Sequence, residues 1–133
     1  MNLMLVYPAI ITWLALALYF YLTYNVGRAR AKHKIAPPKT TGPEEFERYW
    51  RVQQNTLEQL MLFLPALWLF SIYLSPVWGA LIGLVWVFAR LMYAMGYYQD
   101  AAKRMPGFVA GLVAVVLLMI GSIYGMLRVV SII

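Results

Sequence analysis

The sequence predicts an all-α integral membrane protein, a bundle of four transmembrane helices forming a single domain over residues 1–133. Two observations carry the class. The 133-residue chain is 63% hydrophobic and only 12% charged, and a soluble domain this small has too little interior to hide that much apolar surface. Charge-free stretches cover Met1–Gly27, Gln59–Ala89 and Met105–Leu127, each longer than the roughly 18 apolar residues that mark a membrane span. The middle stretch is too long for one crossing. Ser75-Pro76, followed by Gly79, divides it in two.

The first helix is expected at about residues 3–26. It reads as a span and not as a cleavable signal: no basic residue precedes it, and apolar residues continue through Tyr24 past the cleavage-like Ala15-Leu16-Ala17. A linker rich in Arg, Lys and Pro follows over Arg28–Gly42, and Pro37-Pro38 stops any helix there. Thr41-x-x-Glu44 reads as a capping box with Pro43 in the first turn. Helix 2, at about residues 43–75, therefore starts in water and runs into the bilayer. Helix 3 is expected at about 77–103 and helix 4 at about 107–131. Gly107, Gly111, Gly121 and Gly125 on helix 4 give two small-xxx-small spacings of the kind found where helices approach closely.

Charge sets the orientation. Arg28, Arg30, Lys32, Lys34, Lys39, Arg48 and Arg51 crowd the linker and the start of helix 2, Lys103 and Arg104 follow helix 3, and the loop after helix 2 carries none. The positive-inside rule then puts these basic segments in the cytosol and both termini on the opposite side. Tyr7, Tyr73 and Trp78 at one surface and Tyr21, Tyr24, Trp50 and Tyr98 at the other fit an interfacial aromatic belt. The net charge of +6 is thereby topological, and no nucleic-acid partner is expected. The absence of cysteine excludes disulfides, a cysteine nucleophile and a thiolate metal site. No metal site is expected, and His33, alone in the basic linker, is expected to be solvated.

Two polar stripes interrupt the apolar helices. Arg51, Asn55 and Glu58 on helix 2 fall within about 60° of arc, with Glu58 roughly 10 Å deeper than Arg51. Arg90, Tyr93, Tyr97 and Arg104 form a second stripe provided helix 3 persists past Tyr98. Ionisable residues at such depth point to function, although an Arg–Glu pair joining helices, or an arginine snorkelling to the surface, would leave the same trace. Together the stripes describe a polar cavity open to the cytosol, suited to a small ligand with carboxylates and an ammonium group. Arg30, Arg51 and Arg104 suit carboxylates or a thiolate, Glu58 an ammonium, and Gln53 and Asn55 amide groups.

The run Pro37-Pro38-Lys39-Thr40-Thr41-Gly42-Pro43-Glu44-Glu45-Phe46-Glu47-Arg48, then Arg51-Val52-Gln53-Gln54-Asn55-Thr56-Leu57-Glu58, resembles the signature of the MAPEG superfamily, the membrane-associated proteins in eicosanoid and glutathione metabolism. The likeness continues through Leu62–Trp68, Phe88–Tyr93 and Gly96-Tyr97, and is nearest the branch of leukotriene C4 synthase and microsomal glutathione S-transferase. It implies a four-helix protomer, a homotrimer, and a glutathione site between adjacent protomers. Arg30, Arg51, Gln53, Asn55, Glu58, Tyr93 and Tyr97 match glutathione-contacting positions, and Arg104 matches the catalytic arginine that stabilises the thiolate. Arg90 joins the expected binding set from its place on the stripe alone. Two positions depart from the branch: Ala31 stands where the leukotriene-forming member has a second arginine, and Gln59 where a tyrosine is expected.

The resulting expectation is a glutathione transferase acting on lipophilic electrophiles that arrive from the bilayer, with reduction of lipid hydroperoxides as a second activity. A non-catalytic lipid-binding scaffold, like the five-lipoxygenase-activating protein of this branch, is the alternative; that protein lacks the charge matched by Arg51. A small drug exporter using Glu58 as proton carrier ranks last, because clustered arginines hold Glu58 ionised.

Overall fold

The computed structural model describes residues 2–132. A short 3-10 turn, Leu3–Leu5, leads into α1 (Val6–His33). Then come α2 (Glu44–Tyr73), α3 (Pro76–Gln99), a second 3-10 turn over Ala101–Arg104, and α4 (Met105–Ile132). All four helices are long and apolar enough to cross a membrane. The central pair is α2 and α3, each packing against the other three helices, with α1 and α4 on the flanks.

Several boundaries differ from the sequence expectation, each for a physical reason. Helix α1 runs a further two turns to His33, taking in Arg28, Arg30 and Lys32. These residues and the intervening alanines are good helix formers, and cations at a helix C-terminus complement its dipole. The linker proper is thus Lys34–Pro43, starting at Lys34 in the left-handed region (φ 54°), where its N–H and that of Ile35 both return to the Arg30 carbonyl. His33 is not solvated: its side chain is 17% exposed, with Nε2 3.6 Å from a Glu45 carboxylate oxygen that also takes a 2.7 Å bond from Lys32.

The capping box does not form. Pro43 itself occupies the N-cap with no side-chain cap bond, and Glu44, Glu45 and Glu47 fill the first turn, where the helix dipole favours them. The break at Ser75-Pro76 is as expected: Ser75 Oγ accepts from the Trp78 amide at 3.2 Å and Pro76 opens α3. Helix 3 ends earlier than expected, at Gln99. Asp100 turns extended (φ −160°, ψ 132°) and caps the 3-10 turn by accepting from the Ala102 amide at 3.0 Å. This moves Arg104 off the α3 stripe and onto the turn.

Packing explains why that turn stays close. A Cβ on Gly96 would strike the Lys103 carbonyl, and one on Gly107 would strike the α3 backbone at Tyr93 and Ala89. Glycine at both positions lets the turn and the start of α4 lie directly on α3. The other α4 glycines serve the same protomer, with Gly121 against Phe70 and Gly125 against the Tyr73 carbonyl. Deeper in the bundle Phe63 and Trp86 stack at 3.9 Å and 3°, among Leu67, Phe70, Val115 and Leu118. Outward-facing side chains such as Phe20, Met61, Phe88 and Ile120 are exposed, as suits a lipid-facing surface, since hydrocarbon solvates them as well as a core would.

Of the interfacial aromatics, Tyr7, Tyr73, Trp78, Tyr21 and Tyr24 are exposed, while Trp50 and Tyr98 are not. Tyr98 is half-buried, stacked on Tyr49 at 4.0 Å and taking a 3.3 Å bond from Asn25.

Candidate functional site

The ends of α1 and α3 and the starts of α2 and α4 share one end of the bundle, and most of the cationic residues gather there. On α2, Arg51 and Glu58 lie seven residues apart, about 20° in projection. Their side chains meet, with Nη1 3.4 Å from Oε1. Asn55 lies between them on the same stripe.

Helix α3 supplies the opposite wall. Tyr93 and Tyr97 meet edge to face at 5.6 Å and 67°. Because the chain breaks at Asp100, Arg104 does not continue the stripe by helical periodicity; it folds back instead. Its guanidinium carbon is 5.8 Å from the Tyr97 ring centre, and Nη1 donates to the Ala101 carbonyl at 2.6 Å. Together Arg51, Asn55, Tyr93, Tyr97 and Arg104, closed by Met105 and Phe108, line a groove of about 370 Å³. A second cavity of about 650 Å³ continues from it past Arg51 and Tyr97 toward Thr40, Glu47 and Asp100.

The arrangement is rich in donors. Arginine carries no acceptor, so Arg51 and Arg104 present only N–H groups to whatever enters. Arg104 takes part in no ion pair among the described residues. A guanidinium at a groove wall with N–H groups beyond its bond to Ala101 is suited to an anionic or strongly accepting atom.

Four expected residues do not line this groove; one of them, Glu58, meets it only through its contact with Arg51. Arg90 is 1% exposed; its Nη2 donates to Asn55 Oδ1 at 3.0 Å and to Thr56 Oγ1 at 2.7 Å, and its guanidinium carbon stands 3.9 Å over the Tyr93 ring. It points into the bundle and not into the groove, because its acceptors Asn55 and Thr56 lie on the inner edge of α2. Arg30 and Gln53 face elsewhere. Gln53 is about 200° from Arg51 around α2 and donates to Thr23 on α1 at 3.1 Å. Arg30 donates to the Lys39 carbonyl at 2.7 Å and lies 5.1 Å from the Phe46 ring centre. Within one protomer the expected set thus divides between two faces.

Thr56, Met105 and Phe108 were not singled out from the sequence. Met105 and Phe108 lie on α4, past the turn that carries Arg104, so no helical spacing linked them to either stripe. Thr56 left no signal, since its importance comes only from the arginine of another helix.

Fold and site together define a multi-pass integral membrane protein with an arginine- and tyrosine-lined groove at one end of its bundle. The family model described as "MAPEG family" matches residues 8–124, and the chain belongs to that family. It is 54% identical over 123 residues to the uncharacterized protein sll1147 of Synechocystis, covering 92% of this chain and 90% of that one. It is 46% identical over 105 residues to microsomal glutathione S-transferase 2 of Mus musculus (79% and 71%), and 41% identical over 119 residues to leukotriene C4 synthase of Cavia porcellus (90% and 79%).

Proposed function

We propose that the protein is a membrane-embedded glutathione transferase that conjugates glutathione to lipophilic electrophiles through an arginine-stabilised thiolate. The observation that carries this is Arg104, a guanidinium without an ion-pair partner among the described residues, held against Tyr97 at the wall of a donor-rich groove. Kinship with a microsomal glutathione S-transferase and a leukotriene C4 synthase supports the choice of co-substrate.

The chemistry is an activation of the thiol. With a pKa of about 8.5, a free thiol is only a few per cent ionised at neutral pH. Lowering that pKa by about two units takes ~2.7 kcal/mol of preferential stabilisation of the thiolate. One arginine about 4 Å from the sulfur, at an effective dielectric near 20, supplies about 4 kcal/mol before desolvation. Arg104 alone is sufficient in magnitude. The thiol proton leaves to solvent, and the sulfur lone pair then attacks the electrophilic carbon, forming the thioether and expelling the leaving group or opening the ring. With a hydroperoxide the same thiolate attacks the terminal oxygen, the O–O bond breaks and the alcohol leaves after taking a proton, and a second glutathione then displaces water from the sulfenic acid to give the disulfide. Arg51 takes a carboxylate of glutathione and Glu58 its ammonium, while Asn55 reads an amide.

Arg30 and Gln53 belong to this site if it lies between two protomers of a homotrimer. The division of the expected residues between two faces of one chain supports that assembly, since each face would complete the groove of a neighbour. Both polar faces would otherwise stand against hydrocarbon. By the positive-inside rule the groove opens to the cytosol and the termini lie opposite. Ala31 in place of a second arginine separates this chain from leukotriene formation, because the acid matched to epoxide opening is missing.

The test is conjugation of glutathione to an activated aryl halide by purified protein in detergent. Saturable, enzyme-dependent thioether formation is the expected result. Lipid binding without any turnover would leave the non-catalytic scaffold reading in its place.

A further inference from the structure

Arg90 is the most deeply buried charged group among the described residues, and the proposed chemistry makes no use of it. Its exposure is 1% and it takes part in no ion pair among those residues. A buried arginine without a carboxylate is a poor packing element, since its desolvation is offset only by neutral acceptors. Here those acceptors are Asn55 Oδ1 and Thr56 Oγ1, at 3.0 and 2.7 Å, with the Tyr93 ring face beneath.

The consequence falls on Asn55. A side-chain amide has an oxygen and a nitrogen on opposite sides, and an unrestrained Asn can turn either toward a ligand. A guanidinium has no lone pair to offer, so the amide oxygen must face Arg90. The amide nitrogen is left to the other side, where Asn55 lines the groove with Arg51 and Arg104.

We infer that Arg90 is a positioning residue: it holds Asn55 by the amide oxygen, so that the groove presents an N–H donor there and takes a carbonyl or carboxylate oxygen of its ligand. In its ligand this inference rests on the glutathione reading above. It makes Arg90 a determinant of affinity from a position that no ligand reaches. A purely structural role, α3 anchored to α2 through the same two bonds, would stabilise the bundle without influencing what binds.

Calorimetric binding of glutathione and thermal melting, on the detergent-purified protein, separate these roles. Arg90→Met weakens glutathione about tenfold in the wild-type background and less than twofold when Asn55→Ala is already present, because Arg90 acts through Asn55. Asn55→Asp melts at or above the wild-type temperature, since its carboxylate pairs with Arg90. It nonetheless binds glutathione more weakly than Asn55→Ala does, because its second oxygen turns an acceptor toward the ligand's acceptor. If Arg90→Met does not fold, the comparison of Asn55→Asp with Asn55→Ala decides alone. Equal losses from Arg90→Met in both backgrounds, or wild-type affinity in Asn55→Asp, would overturn the inference while leaving the glutathione site in place. A wild-type protein that binds no glutathione would overturn the functional reading itself, and this inference with it.

Discussion

Replacing Glu58 by Gln separates a ligand contact from a structural one, because the change is nearly isosteric and removes only charge. In the structure Glu58 meets Arg51 at 3.4 Å, with the two side chains 58% and 46% exposed. Where the groove admits water, a pair this open contributes about 0–1 kcal/mol to stability. The melting temperature of Glu58→Gln should therefore shift by no more than a few degrees. If the carboxylate holds the glutathione ammonium, the substitution removes a charge-assisted contact of about 1.5–3 kcal/mol, which is roughly a ten- to hundredfold loss of affinity. Turnover at saturating glutathione should fall much less, because Glu58 holds one end of the tripeptide and not its sulfur. Calorimetric affinity, steady-state kinetics and thermal melting on one preparation report all three quantities. Unchanged or tighter binding would show that Glu58 only restrains Arg51, and together with a clearly lowered melting temperature it would return the residue to structure.

Three further outcomes follow from the same geometry. Arg104→Ala should lower the thiolate fraction of bound glutathione at pH 7 by about 25-fold, the effect of restoring the thiol pKa from about 6.5 to about 8.5; the difference should vanish near pH 9.5, and a pH-independent defect would refute the activating role. Gly107→Ala should destabilise the protein by about 1–3 kcal/mol in thermal melts, because its Cβ meets the α3 backbone at Tyr93 and Ala89; a wild-type melting temperature would contradict that packing. Native mass spectrometry from mild detergent should find a homotrimer, and a fully active monomer would contradict a site shared between protomers.

The four spans were legible because lipid imposes a simple pattern, long apolar runs divided by Pro and charge. The ends were less legible, because several residue types that avoid the membrane, Arg28 to Lys32 among them, form helix as readily in water. The end of α3 depended on one residue, Asp100, whose side chain serves a new turn better than the helix it follows. The α2 stripe was readable from spacing, and Arg51, Asn55 and Glu58 do share a face. Arg104 reaches the groove by a route periodicity did not describe. Arg90 shows the limit of stripe reasoning: a spacing of three residues from Tyr93 places it on the same side of α3, but only Thr56 and Asn55 decide that it points inward.

The central claim is that this groove binds glutathione and ionises its thiol. Ultraviolet titration of the thiolate band, with glutathione added to purified wild-type protein at pH 7, tests it most directly. The account predicts a band that saturates with site occupancy, is displaced by an S-alkyl glutathione, and is lost in Arg104→Ala. Binding of glutathione with no thiolate band above that of the free thiol at the same pH would contradict it.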